Sequence, residues 1–264
     1  MKIRHDFHIH TRLSLCANES ATVENYLAIA RCLGLTKLGF ANHFWDETIP
    51  GATPFYVPQN LSHVLQLKPE LAAVNDPKIK LYFGCEAEYD PVRRDVALSE
   101  KVASQFDFIL VPNSHTHLVM PRDCYHPYQK HVDFMIRAYE DILDSSINRY
   151  ITAIAHPFEA VCCPYDYNIL IRMISDDCFQ RLFDKTAERG IAVEINVDSM
   201  RGKSEAEIES CSQLRMFRIA RKCGCKFLFG SDAHDNGAHS SYGHADFVAN
   251  LLELREDDIA KIAR

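Results

Sequence analysis

Apolar residues along this chain fall into short runs separated by longer amphipathic stretches. Seven runs have β-leaning composition: Ile3 to Ile9, Lys37 to Ala41, Ile79 to Cys85, Phe106 to Val111, Tyr150 to Ala155, Ile191 to Ile195 and Lys226 to Gly230. The later ones are nearly continuously apolar, as strands buried on both faces of a parallel sheet are. Helical patterns fit between them. Thr22 to Leu33 opens on a capping threonine and stops at Gly34, and Glu205 to Lys222 ends before Gly224. The alternation predicts repeated βα units, an α/β chain with a barrel-like parallel sheet. Glu256 to Arg264 reads as a closing helix. Thr48 to Gln59, with three prolines, and Pro112 to Tyr128 read as long loops. Each follows a predicted strand, which in a parallel barrel places it at the C-terminal face, where active sites are built.

Composition narrows this picture. With 264 residues, 47% hydrophobic and 25% charged, the chain can bury one sizeable core. No repeat or linker divides it, so residues 1–264 are expected to form a single barrel domain. The opening residues lack the apolar run of a secretory signal, and no later stretch reaches the roughly 18 to 20 apolar residues that span a bilayer. A cytoplasmic protein without a membrane partner is the expectation. The ten cysteines are scattered, with only Cys162-Cys163 and Cys223/Cys225 close together and neither pair at zinc-ribbon spacing. Reduced thiols follow. A net charge of -7 gives no general attraction for nucleic acid, so none is expected as a partner. An anionic substrate would need a local positive source, and thirteen histidines beside many carboxylates make bound metal the leading candidate.

The chemistry-bearing residues cluster at predicted strand ends. The first strand ends in Asp6-Phe7-His8-Ile9-His10, and alternation along a strand turns His8 and His10 to the same side. Such a pair alone is equally well explained as polar residues at a strand end. Ligand-type residues recur, however, at His43, Glu86, His115 and His156, and the last strand runs into Gly-Ser-Asp232-Ala-His234. Barrel closure would bring the first and last strands together. A core explanation would need six strands to bury unpaired polar groups at one axial level, which is costly. Imidazoles and carboxylates without obligatory thiolates suit zinc, manganese or iron, and Glu86 can bridge two ions through its two oxygens, so at least two divalent metal ions are expected.

In this order, His-x-His-Thr at 8 to 11, the His43 turn, Gly-x-Glu at 84 to 86, Ser-His at 114 to 115, Ala-His-Pro at 155 to 157 and Gly-Ser-Asp-Ala-His at 230 to 234 make the chain resemble the polymerase and histidinol phosphatase (PHP) superfamily. The resemblance implies a distorted seven-stranded (β/α) TIM-like barrel with a trinuclear metal site. It implies His8, His10, Glu86 and Asp232 as ligands of one metal, Glu86, His115 and His156 as those of a second, and His43 and His234 as part of a third. Cys16 stands where several members have a further histidine; it is either a thiolate ligand or a small buried residue. His117 competes with His115, and Glu88 shares a strand face with Glu86, but motif spacing favours His115 and Glu86. His5, His63, His126, His131, His239 and His244 match no motif and read as surface or supporting residues.

The segment Glu194 to Lys203 is similar to one in histidinol-phosphate phosphatases in which an Asn is followed five residues later by an Arg near the substrate. Arg201 would then clamp phosphate through its planar guanidinium, with Arg12 and Arg122 as further candidates. The implied reaction is hydrolysis of small phosphate monoesters, histidinol phosphate among them, by a metal-activated hydroxide, with Glu86 and Asp232 at the reacting centre. The general acid stays open. Three rivals stand beside this reading: a nuclease or phosphodiesterase of the same superfamily, a non-catalytic metal-binding barrel, and an amidohydrolase. The acidic charge opposes the first, the near-complete ligand set the second, and the Asp-Ala-His ending the third.

Overall fold

The computed structural model describes residues 1–160, 166–237 and 242–264. Nine strands occur among them: β1 His5–Ile9, β2 Lys37–Phe44, β3 Lys80–Ala87, β4 Tyr89–Asp90, β5 Asp95–Val96, β6 Phe108–Pro112, β7 Ala153–Ala155, β8 Ala192–Asn196 and β9 Lys226–Gly230. Seven of them form one parallel sheet in the order β1-β2-β3-β6-β7-β8-β9, while β4 and β5 make a small antiparallel ribbon beyond the end of β3. All seven strands read from the apolar runs are present, and Lys226–Gly230 has the bounds the pattern predicts.

The sheet curls into a nearly closed TIM-like α/β barrel. Its seam carries one backbone bridge, Ile9 to Ala233, with the His10 N–H donating to the Ala233 carbonyl at 2.9 Å. Side chains hold the rest of the seam. Asp6 accepts from the Ser231 N–H and hydroxyl at 3.0 and 2.6 Å, and His5 Nε2 accepts from the Phe229 N–H at 3.1 Å. Buried polar groups are tolerated when paired in this way. His5 is therefore an interior residue that supports the seam, which corrects the surface alternative in its reading; His131 is buried as well.

Inside the barrel Phe7 and Phe108 pack edge to face, with ring centroids 5.1 Å apart. The space for Phe108 is made by Gly84, where a Cβ would collide with the Phe108 ring. Helices cover the outside. Val23–Leu33 is capped by the Thr22 side chain and terminated by Gly34 in the left-handed conformation, as the sequence predicts. The predicted helix from Glu205 to Lys222 is two helices, Glu205–Glu209 and Ser212–Lys222. Cys211 between them is extended, which re-aims the second helix so that Leu214, Met216 and Phe217 are buried. No glycine or proline announces that break. The closing helix is also absent: only Glu256–Asp258 makes a 3-10 turn, because Ile259 bridges to Phe227 and the Ala260 N–H donates to the Phe227 carbonyl, so backbone groups a helix would use extend the sheet. The loop after β6 holds a short helix, Thr116–Val119, and a 3-10 turn, Arg122–Cys124. Cys162, Cys163 and His239 lie outside the described residues.

Candidate metal centre

The strand ends deliver the predicted residues to one place. Parallel pairing of β2 with β3 sets His43 in register with Glu86, and their side chains meet with His43 Nδ1 2.9 Å from Glu86 Oε2. Glu86 is the hub. Its oxygens also lie 2.9 Å from His156 Nε2, 3.4 Å from His115 Nε2, and 3.5 Å from both His8 Nε2 and His10 Nε2. Across the seam, Asp232 Oδ1 is 3.1 Å from His10 Nε2 and 3.5 Å from His8 Nε2, and the His10 and His234 rings stack at 4.2 Å. His156 and Asp232 both adopt positive φ, 26° and 50°. Non-glycine residues held there cost of order 1–3 kcal/mol, a strain found at functional sites. Gly230, just before Ser231-Asp232, is required by close approach: a Cβ would strike Glu194 Oε1 and His8 Cβ.

The donors group into four overlapping sets whose ligand atoms lie within 4.8 Å of one another: His8, Glu86 and His156; His8, His10 and Asp232; His43, Glu86 and His115; His10, His43 and His234. Sharing of His8, His10, His43 and Glu86 between sets fits adjacent ions. His43 therefore joins the Glu86–His115 set as well as the His234 set to which motif matching assigns it. Cys16 is absent from these tight sets and is exposed, which corrects its reading as a small buried residue, although it lies near enough to His234 and His43 for their charges to act on its thiol. His117 is exposed and belongs to none of them.

Two features test whether this pocket fits cations. His43 Nδ1 and Glu86 Oε2 are buried and close, yet neither makes an aligned hydrogen bond, so both lone pairs stay directed at a common space. In addition, nearly every ring has its second nitrogen occupied from behind. His8 Nδ1 meets Glu194 Oε1 at 2.8 Å, His115 Nδ1 meets Glu88 Oε2 at 2.9 Å, His10 Nδ1 meets Ser14 Oγ at 3.0 Å, His156 Nδ1 meets Ser114 Oγ at 2.6 Å, and His234 Nδ1 meets the Asp232 carbonyl at 2.7 Å. Such partners fix ring orientation and leave the other nitrogen free for a metal. Tyr56 donates to Glu88 behind His115, and Asn196 Nδ2 donates to Asp232 Oδ2 at 3.2 Å. The residues fit the group.

Electrostatics agree. Burial pushes Glu86 and Asp232 toward neutrality, but the surrounding histidines outweigh it and hold both well below the usual carboxylate range. Burial likewise opposes charging of His8, yet Glu194, then Asp232 and Glu86, raise it well above an ordinary histidine. His10 is pushed the other way, by burial and by His234 and His43. Burial raises the Cys16 thiol, and contacts with His234 and His43 overcome this to bring it down to about 6.

The arginines stand apart from this cluster. Arg201 follows the 3-10 turn Asp198–Met200 after β8 and ion-pairs with Asp198. Arg12 is engaged by Glu70 at 2.7 Å, and Arg122 is exposed. The sequence reading missed Glu194, Ser14 and Ser114 as supports and passed over Glu88. Of these, Glu194 carried a signal, a charged residue at the centre of an apolar strand run, and Glu88 a weaker one, its strand face shared with Glu86.

This fold and ligand chemistry define a barrel built to hold divalent metals, and the PHP domain family matches residues 6–198; the chain belongs to that family and is a metal-dependent phosphoesterase. Among curated proteins it is similar to a probable phosphatase of Clostridium acetobutylicum, 22% identical over 253 residues that cover 96% of this chain and 86% of that protein. Among solved structures it is similar to a histidinol phosphate phosphatase of Lactococcus lactis in complex with zinc, L-histidinol and phosphate (TM-score 0.64, 17% identity, 96% of this chain and 94% of that one). It is also similar to the putative histidinol phosphatase of Listeria monocytogenes (TM-score 0.65, 12% identity, 90% and 99%). At these identities the solved structures establish the shared fold.

Proposed function

We propose that the chain hydrolyses small phosphate monoesters, histidinol phosphate among them, at two or three divalent ions held by His8, His10, His43, Glu86, His115, His156, Asp232 and His234, with Cys16 reaching the outermost ion. The carrying observation is Glu86: one buried carboxylate within 3.5 Å of five imidazoles. Divalent ions there supply Lewis acidity toward phosphoryl oxygens and lower the pKa of water. Zinc suits this nitrogen-rich donor set, and manganese or iron are the alternatives. Glu194 and Glu88 hold His8 and His115 in place, and Asn196 orients Asp232. Arg201 neutralises the phosphate of the substrate after leaving Asp198, an exposed pair worth about 0–1 kcal/mol. Arg12 is a secondary clamp that must likewise leave Glu70.

The whole of residues 1–264 acts as one unit, since Asp232 and His234 complete sites begun by His8 and His10. A reducing, cytoplasmic setting suits the eight described cysteines, all free. The test is turnover of a panel of phosphorylated metabolites by zinc- or manganese-loaded protein, with single-stranded DNA as the competing substrate and elemental analysis of the purified protein. Release of phosphate from small monoesters far ahead of DNA cleavage is expected; preferential DNA cleavage would replace this reading with a nuclease.

A further inference from the structure

The base of the barrel, at the strand starts, carries an arrangement that the mouth chemistry does not use. Lys37 and Lys80 open β2 and β3 and are partners in register, so two ammonium groups leave the sheet side by side. Like charges directly opposite on neighbouring strands are destabilising. Neither is neutralised: Lys37 Nζ donates to the Ile262 carbonyl at 3.3 Å, and Lys80 lies over the Tyr82 ring at 4.7 Å. Burial, and next the charge of Lys80, push the Lys37 ammonium below the usual lysine range. Lys2 and Arg4 stand nearby without a carboxylate partner among the described residues, while Arg264 is offset by Asp257 at 3.2 Å.

Three of these groups, Lys2, Arg4 and Lys37, line a space, and Lys80 stands beside Lys37 on the next strand. A cavity of about 390 Å³ is lined by Lys2, Arg4, Thr36, Lys37 and Ile259, with Glu256 as an opposing carboxylate on its wall. That volume is in the range of small-molecule sites, roughly 300–1,000 Å³. In a chain of net charge -7, four cations at one barrel end that meet no carboxylate among the described residues are a local reversal of sign, and clefts lined mainly by one sign of charge concentrate counter-ions.

We infer that the basic cavity at the barrel base binds a small, multiply charged oxyanion, a phosphate- or carboxylate-bearing metabolite, at the end of the molecule opposite the metal centre. The ligand meets Lys37, Arg4 and Lys2 directly, and by offsetting the Lys37 charge it relieves the repulsion from Lys80 next to it. The modest volume favours a small molecule over an acidic peptide. The inference does not depend on the activity proposed for the mouth.

The experiment is thermal unfolding of the metal-loaded protein in sodium sulfate and in sodium chloride at equal ionic strength, with the Lys37→Gln/Lys80→Gln double variant alongside. Sulfate is expected to raise the midpoint of the parent beyond chloride and to raise that of the double variant by less than half as much. In chloride the double variant should be at least as stable as the parent, because a like-charge pair is gone. If the double variant folds poorly, Arg4→Gln gives the same reading. A double variant that keeps the full sulfate effect, or tungstate density confined to the metal centre in soaked crystals, overturns the inference. Tungstate density beside Lys37 and Arg4 supports it.

Discussion

The same two strands end in opposite ways. At one end of β2 and β3, His43 and Glu86 face each other in register, buried and of complementary charge; six residues earlier on each strand, about 20 Å away, Lys37 and Lys80 face each other with the same charge. At the mouth, donors of both kinds interleave, and most rings are held from behind by a carboxylate, hydroxyl or carbonyl. At the base Lys2, Arg4, Lys37 and Lys80 meet no carboxylate among the described residues. The mouth is therefore preorganised, with its ligand geometry fixed before any ion arrives, whereas the base stores repulsion that only a counter-ion relieves. Preorganisation explains why buried polar residues are affordable at one end, and unrelieved charge suggests what the other end lacks.

The comparison can be broken most severely at Glu86. Replacing it by Ala removes the carboxylate common to several donor sets, and phosphatase activity should fall by more than about 100-fold, since even supporting residues are worth about 10- to 100-fold. Bound metal measured by elemental analysis should fall with it; His8→Ala and Asp232→Ala should behave alike. Activity within a few-fold of the parent would contradict the site.

A smaller effect sharpens the idea of preorganisation. Glu194→Gln and Glu88→Gln keep shape but remove the charge behind His8 and His115, and each should weaken metal affinity or activity by about 10- to 100-fold. Circular dichroism should show an unchanged fold, and competition with a chelator should show faster metal loss. Arg201→Ala should cost about 10- to 100-fold in kcat/KM, the worth of roughly 1.5–3 kcal/mol for a hydrogen bond to a charged group, with metal content unaltered. Metal loss in that variant would place Arg201 in the structural support of the site instead.

The effect at the seam falls on stability and leaves the activity at neutral pH untouched. Burial lowers the pKa of His5 to about 3, so the unfolded chain, with an ordinary value near 6.5, takes up a proton that the folded one refuses. Its contribution to stability is complete above pH 6.5 and declines as pH falls from 6.5 toward 3, by at most about 1.4 kcal/mol per unit. Denaturant titrations of parent and His5→Gln should therefore converge on acidification over this window. Parallel pH profiles would show that His5 charges without cost.

Several strand ends were legible because each motif couples a ligand to a local constraint. Gly84 before Glu86 makes room for Phe108, and Gly230 before Asp232 makes room for Glu194 and His8, so spacing and ligand appear together. Ser14, Ser114 and Glu88 were not legible as supports, because a serine or a glutamate on a strand or loop looks the same whether it faces solvent or the back of an imidazole. The break at Cys211 and the strand-like ending at Ile259 were hidden for a related reason: tertiary packing overrode a helical pattern that was locally sound.

The order of hydrophobic runs, and with it the parallel α/β barrel and the identity of the ligand-type residues, was determined by the sequence alone, since strand period and composition are local properties. Which donors converge, which ring nitrogen is left without a partner from behind, and where two lysines are forced side by side were decided only by the tertiary structure. Those facts depend on strand register and on closure of β1 against β9, contacts between residues more than two hundred positions apart that no local pattern encodes.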